Sequence, residues 1–142
     1  MIHKIEYSYK FKPNFSDMDS YRYAHHSKYL IWFENARIYY IEEFLKLNAD
    51  AINSLRFPVM NLSVKYYEPI VFGEEYLMQV KIEFDDNMPI LNFSYRILNE
   101  FGKKLYTKAQ TSHVLVNEKN EMTDSFPKEL LDKFLLQNSG NI

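Results

Sequence analysis

The chain has 142 residues, with 17 Lys and Arg against 19 Asp and Glu, a formal net charge of -2 at pH 7 and no cysteine. This length indicates one domain, residues 1–142, large enough to bury a core. The charge balance argues against a nucleic-acid partner. No apolar run approaches the ~18 residues that span a membrane, and the first residues lack the apolar stretch of a signal peptide. The absence of cysteine excludes disulfides, thiolate metal sites and a cysteine nucleophile, and we expect a cytoplasmic protein without membrane contact.

Aromatic side chains are unusually abundant. They make up 17% of the chain, with 11 Phe, 12 Tyr and one Trp. The ordinary explanation is that they fill a sheet, where aromatic residues pack well. The alternative is that they line an apolar pocket for an acyl or aryl group. Both interpretations are open at the level of composition.

The first two predicted elements are a strand and a long helix. Residues 5–12 alternate loosely between apolar and polar side chains, which predicts a strand that Pro13 interrupts. From residue 29 to residue 47 the apolar positions recur at helical spacing, so we predict a helix with Ser27 as its N-cap. Apolar residues cover so much of this helix that other elements should wrap around it.

Strand patterns fill most of the remaining chain. After a loop over residues 48–57 they predict strands at 59–67, 76–84, 91–97 and 105–116. Short turns between the later strands predict antiparallel hairpins, so the four strands should follow one another as a meander. Pro127 should begin a closing helix that ends at Phe134, and the residues from 137 onward should fray. One sheet must then cover one helix, which makes the fold class α+β.

The reactive side chains are concentrated in residues 15–29, just before the predicted helix. They are Asp17, Asp19, His25 and His26, with several tyrosines between them. A helix N-terminus presents unpaired backbone N–H groups and a partial positive charge, which can stabilise the oxyanion formed when a carbonyl is attacked. A carboxylate held nearby can act as the nucleophile or the general base. If the segment is extended, Asp17 and Asp19 point to the same side.

Two other interpretations of this segment are open. It is compatible with an ordinary loop whose aspartates accept local backbone hydrogen bonds. The two carboxylates and two histidines are also possible metal ligands, but adjacent histidines lack the i,i+3 or i,i+4 spacing that helical ligands prefer. We therefore expect no metal and no cofactor. The three glycines, at 73, 102 and 140, form neither a Gly-rich phosphate loop nor a nucleophile elbow.

Several motifs resemble the signature of hot-dog-fold acyl-CoA thioesterases of the 4-hydroxybenzoyl-CoA thioesterase/YbgC type. In that family an Asp-x-Asp segment is followed ten residues after its second Asp by a Tyr, and then by a Phe-Glu-x-Ala-Arg helix. The matching segments are Ser16-Asp17-Met18-Asp19, Tyr29, Phe33-Glu34-Asn35-Ala36-Arg37, Val64-Lys65-Tyr66-Tyr67-Glu68-Pro69, Gly73-Glu74 and Phe126-Pro127-Lys128-Glu129-Leu130. The resemblance extends over nearly the whole chain.

The resemblance implies a hot-dog fold, in which a curved antiparallel sheet wraps around one long helix. It implies a thioesterase that releases a free acid and a thiol from a thioester of CoA or acyl carrier protein. By position, Asp19 is the catalytic carboxylate, and the backbone N–H of His26 polarises the thioester carbonyl. The family also assembles as dimers or tetramers joined at sheet edges, so we expect a homodimer or homotetramer.

Other positions are expected to contact the substrate. They are Asp17, Tyr23, His25, Tyr29 and Glu34, of which Tyr29 is expected mainly to pack. For Glu34 two roles are open, an i,i+3 ion pair with Arg37 or recognition of a polar group on the acyl chain.

One stretch departs from the family pattern. Where a frequent version has Gly-His-Val-Asn-Asn, this chain has Arg22-Tyr23-Ala24-His25-His26. Either the substrate differs from the common acyl-CoAs or the chemistry has changed. A thioester of acyl carrier protein would be one such different substrate. A hot-dog dehydratase or hydratase acting on 3-hydroxyacyl thioesters and a non-catalytic acyl-thioester-binding module are therefore alternatives. The cone-shaped α+β fold of polyketide cyclases also suits this length, but those chains usually begin with helices.

Overall fold

Strands dominate the part of the chain that the structure describes. The computed structural model describes residues 1–47 and 56–138, so most of the predicted loop at 48–57 and residues 139–142 of the end that is predicted to fray lie outside the described residues. The elements in chain order are β1 (Ile2–Phe11), α1 (His26–Tyr40), β2 (Val59–Tyr66), β3 (Tyr76–Asp85), β4 (Ile90–Asn99), β5 (Leu105–Val114) and α2 (Lys128–Asn138). A 3-10 turn at Phe15–Asp17 and a π-helical turn at Ile41–Leu45 complete them.

The five described strands form one antiparallel sheet in the order β1-β3-β4-β5-β2. The prediction of an α+β fold is confirmed, but the prediction that all four later strands form a meander is wrong. Only β3, β4 and β5 follow one another as hairpins, and β2 pairs with β5 at the far edge. The nine residues between β2 and β3 form too long a link for a tight hairpin, and β1 occupies the edge of β3 instead.

The concave face of the sheet packs on α1. Burial alternates strictly along β3, from Tyr76 to Phe84. On the helix, Trp32, Phe33 and Ala36 are buried together with Tyr29 and Tyr40. Rings from helix and sheet stack directly, as in Phe33 and Tyr95, whose centroids lie 4.5 Å apart. The helix is therefore wrapped by the sheet as predicted, and many of the aromatic residues belong to this core.

Both ends of the long helix differ from the prediction. It begins at His26 rather than residue 29, because the side chain of His25, and not of Ser27, caps it. Regular α-helix ends at Tyr40, the π-helical turn follows from Ile41, and Lys46 then adopts the left-handed conformation at φ 52°. The closing helix is longer than predicted and continues to Asn138.

We expect Ala36→Leu to lower the free energy of unfolding by about 1–3 kcal/mol, because a larger side chain does not fit where helix and sheet are in close contact. Ala36 is completely buried, and the Tyr7 hydroxyl on β1 donates a hydrogen bond to its carbonyl oxygen. Urea unfolding followed by circular dichroism measures the change. The matched control is Asn35→Leu on the exposed side of the same helix, which should not lower the free energy of unfolding. Equal stability of the two variants would contradict this packing.

Candidate active site

The segment before α1 is a tight hairpin that presents Asp19. Met18 and Ala24 form an antiparallel bridge. The Asp19 N–H donates to the Tyr23 carbonyl at 2.7 Å, and the Arg22 N–H donates to the Asp19 carbonyl at 3.0 Å. Three residues thus form the loop, as in hairpins that combine a type I turn with one left-handed residue. That residue is Arg22, at φ 67°.

The Asp19 carboxylate is held by the loop that carries it. Its Oδ1 accepts the backbone N–H groups of Tyr21 at 2.8 Å and Tyr23 at 3.1 Å. Within the described residues Oδ2 has no hydrogen-bond partner, and the side chain is half-buried. One oxygen therefore orients the carboxylate while the other is available to a reactant.

Asp19 lines a cavity of about 350 Å³ at the N-terminus of α1, which we call the Asp19 pocket. Its walls include Tyr23, Ala24, His26, Tyr29, Tyr66 and Tyr67. Tyr29 is buried and packs edge-on against Tyr66, with ring centroids 4.9 Å apart. Burial raises the pKa of Tyr29, so this phenol stays neutral and serves as a wall. The pocket is thus largely aromatic, with two carboxylates, those of Asp19 and Glu68, and one helix end.

The two histidines of the pair have different positions. The Nδ1 atom of His25 accepts the Ser27 N–H at 3.2 Å and caps the helix. His26 is the first residue of α1 and lines the pocket. No hydrogen bond from its backbone N–H to another described residue is formed, as expected for a first-turn amide. The structure therefore places His26, whose backbone N–H has no partner among the described residues, in the wall of the same pocket as Asp19, and His25 in a capping role.

Asp17 is not part of the same pocket. It ends the 3-10 turn rather than an extended segment, so the two carboxylates do not point together as predicted for an extended strand. Its Oδ2 accepts the Asn14 N–H at 2.8 Å, and its carbonyl accepts the His25 N–H at 2.8 Å. The side chain is 8% exposed. Asp17 thus holds the chain on both sides of the hairpin.

Glu34 and Arg37 lie about two and three helical turns away from His26. The ion pair between them, one of the two roles left open for Glu34, is not formed, and the Arg37 Nη1 instead donates to the Tyr95 hydroxyl at 3.0 Å. Both side chains line a second cavity of about 350 Å³, between α1, the sheet and α2. The structure therefore does not bring Glu34 to the Asp19 pocket.

A chain of hydrogen bonds runs from Arg37 across the sheet. The Tyr95 hydroxyl lies 2.7 Å from Thr111 Oγ1, and Thr111 Oγ1 lies 2.8 Å from His113 Nε2. His113 Nδ1 must donate to the Phe57 carbonyl, 2.9 Å away, so Nε2 accepts. Burial lowers the pKa of His113, which favours this neutral form.

The sequence motifs did not assign four pocket residues that come from the end of β2. Tyr66, Tyr67, Glu68 and Pro69 line the Asp19 pocket, although they are 47 or more residues away from Asp19 in the chain. The available signal was their presence in a segment that carries the family resemblance.

No three His, Cys, Asp or Glu residues come together as metal ligands within residues 1–47 and 56–138. In the same part of the chain, no helix has the length and apolar character needed to cross a membrane.

Comparison with known proteins identifies similar chains. A family model described as the thioesterase-like superfamily matches residues 13–134. A curated esterase-like protein from Aquifex aeolicus (strain VF5) is 27% identical over 133 residues, which cover 90% of this chain and 97% of that protein.

Two solved structures have the same fold. The 1,4-dihydroxy-2-naphthoyl-CoA thioesterase from Synechocystis superposes with a TM-score of 0.79 at 16% identity, covering 92% of this chain and 96% of that one. The DHNA-CoA thioesterase from Staphylococcus aureus superposes with a TM-score of 0.77 at 23% identity, covering 97% of each chain. At these identities the likeness shows the architecture, a curved antiparallel sheet around a long helix.

We expect Arg22→Gly to raise the free energy of unfolding by about 0.5–1 kcal/mol. The left-handed conformation costs a non-glycine residue about 1–2 kcal/mol, and part of the gain is offset by the greater freedom of glycine in the unfolded chain. Thermal unfolding should show a rise of about 2–4 °C. Arg22→Ala removes the same guanidinium but keeps the strained backbone, so its melting temperature should not rise. If the alanine variant gains as much as the glycine variant, the strain argument fails.

Proposed function

Because this chain belongs to the thioesterase-like superfamily, we propose that it hydrolyses an acyl-CoA thioester at the Asp19 pocket. Membership in the superfamily confirms the resemblance seen in the sequence and, with it, thioester hydrolysis as the general activity. The observation that carries the assignment of the site is the pairing of a loop-anchored carboxylate with the free N–H of His26 at the start of α1.

The two groups divide the chemistry between them. The His26 N–H and the helix N-terminus hold the thioester oxygen and stabilise the negative charge that develops on it. Asp19 Oδ2 acts either on the carbonyl carbon directly or on a water, from which it takes a proton as the water oxygen attacks. On the water route the tetrahedral intermediate collapses, the carbon–sulfur bond breaks and the proton held by Asp19 passes to the thiolate, which leaves the free acid and the thiol. On the direct route the same bond breaks and leaves a mixed anhydride on Asp19, which a water then hydrolyses to the free acid, and a proton from that water goes to the thiolate. Both routes need Oδ2 free, which is the arrangement described above.

The remaining pocket residues serve binding. Tyr23, Tyr29, Tyr66 and Tyr67 form aromatic walls beside the reacting carbonyl. Among the similar solved structures, those named above are thioesterases of aromatic acyl-CoAs, which supports CoA as the carrier here. A carrier-protein thioester is the second candidate, because it presents the same phosphopantetheine arm.

We further propose that two copies assemble through β2. This strand is at one edge of the sheet, and its apolar side chains are unusually exposed. Val59, Met60 and Leu62 are 48%, 50% and 45% exposed, and Ile31 on the adjoining helix is 48% exposed. An edge strand of this kind is a template for pairing with another chain, and a homodimer or homotetramer would cover it.

Asp19→Asn should lower kcat about 10²–10⁴-fold, because the amide cannot take a proton or attack. Release of free thiol from a panel of short, long and aromatic acyl-CoAs, read with a thiol-reactive dye, measures this. The matched control is Asp17→Asn, which makes the same chemical change outside the pocket and should keep its turnover. Near-normal turnover by folded Asp19→Asn would refute the assignment.

Met60→Glu with Leu62→Glu should convert the assembly to monomers, because four carboxylates would then meet at a twofold contact through β2. Sedimentation velocity measures the mass directly. The control is Met88→Glu, which places one such carboxylate at a methionine that is 51% exposed in the β3–β4 turn, away from β2. A wild-type protein that sediments as a monomer would contradict the proposal at once.

A further inference from the structure

The outer face of the sheet has two halves with different charge patterns. On the β1–β3 half, opposite charges face each other, with Glu6 opposite Lys81 and Lys4 opposite Glu83. Lys81 and Glu83 also form an ion pair at 3.4 Å. This half follows the rule that opposite charges in register stabilise neighbouring strands.

The β4–β5–β2 half breaks that rule. Arg96 on β4 lies directly opposite Lys108 on β5, and Lys108 lies directly opposite Lys65 on β2. All three side chains are exposed, and none pairs with a carboxylate within residues 1–47 and 56–138. Like charges in register destabilise a sheet. We call these three residues the cationic row. Local rules are usually broken in proteins where function requires it.

The cationic row lies beside a groove that adjoins the Asp19 pocket. The groove has a volume of about 740 Å³, and Arg96, Lys108 and Tyr67 line it together with Glu6, Lys81 and Glu83 of the β1–β3 half, whose charges are opposite one another across the strands. Tyr67 also lines the Asp19 pocket, so one ring forms a wall of both spaces. The Lys65 ammonium lies 5.4 Å from the centroid of that ring. A ligand that leaves the pocket past Tyr67 therefore meets the cationic row next.

We propose that the cationic row binds the phosphate groups of coenzyme A while the thioester occupies the Asp19 pocket. This inference rests on the proposed function and extends it to the carrier. Coenzyme A carries several negative charges at one end of a thiol-bearing arm, which matches three unpaired cations near the reacting site. The planar guanidinium of Arg96 suits bidentate contact with phosphate.

A second copy of the chain is a poorer occupant of this surface. A twofold contact centred on the cationic row would place the row against itself, because isologous contacts pair a patch with the same patch. Six cations would then meet with no carboxylate in the row to compensate them. A phosphate-bearing ligand relieves the repulsion, and another copy centred on the row increases it.

The test compares the affinity for coenzyme A with that for pantetheine, which lacks the phosphates. Isothermal titration calorimetry should show that Lys108→Glu weakens coenzyme A binding about tenfold and leaves pantetheine binding unchanged. For the wild-type protein, raising the salt concentration should weaken the binding of coenzyme A and leave the binding of pantetheine unchanged. The control is Lys10→Glu, an equal charge change on the outer face of β1, which should alter neither affinity.

A stability measurement separates binding from a merely structural role. Lys108→Glu places a carboxylate between Arg96 and Lys65, so the ligand-free variant should melt at a higher temperature than the wild type. A higher melting temperature with an unchanged coenzyme A affinity would overturn the proposal. Equal weakening of coenzyme A and pantetheine binding would also overturn it. So would a loss of affinity confined to an acyl carrier protein, which would assign the row to a protein partner.

Failure of the proposed function gives a different result. Asp19→Asn should bind coenzyme A as the wild type does, because Asp19 acts on the thioester and not on the phosphates. If no acyl-CoA releases thiol but coenzyme A binding still depends on Lys108, the cationic row is confirmed and hydrolysis of acyl-CoA is refuted. If thiol release depends on Asp19 and Lys108→Glu has no effect on coenzyme A, hydrolysis is confirmed and the row is refuted.

Discussion

The contact between α1 and the concave face of the sheet is the constraint on which the rest of the structure depends. Ala36 is completely buried there, and the hydroxyl of Tyr7 on β1 donates to its carbonyl oxygen. A small side chain at this point lets the helix lie close to the sheet, so that Phe33 stacks on Tyr95 one turn earlier. The N-terminus of the helix is thereby held beside the end of β2, and the Asp19 pocket forms between them.

The sequence predicts which faces are buried better than which strands are neighbours. The alternation in β3 depends only on the pleat, which turns successive side chains to opposite faces, and it is found as predicted. Strand order depends on how the nine-residue link between Tyr66 and Tyr76 crosses the structure, and periodicity contains no information about that path. The same limit applies to the start of α1, because capping by His25 depends on a side-chain torsion rather than on a residue pattern.

Motif spacing predicts the segment that carries the proposed site, but it does not predict the position of each residue in it. Asp17 and Asp19 are two residues apart, yet one accepts a backbone amide inside the 3-10 turn and the other faces the pocket. The difference follows from the backbone turn between them, which the letters Asp-x-Asp do not specify. The position of Tyr67 in the pocket could not be predicted from the motifs, for another reason. It lies 48 residues after Asp19, and only the pairing of β2 with β5 places it there.

The hairpin also indicates what the departure from the family pattern changes. Arg22 occupies the position where a glycine would be free of strain, yet the loop still closes through the hydrogen bond from its N–H to the Asp19 carbonyl. The Asp19 carboxylate is oriented by the backbone N–H groups of Tyr21 and Tyr23, which every residue except proline would supply at those positions. The His26 amide is likewise a backbone group. Because backbone atoms hold both groups of the proposed site, we expect the replaced side chains to change which acyl groups the pocket admits rather than the chemistry.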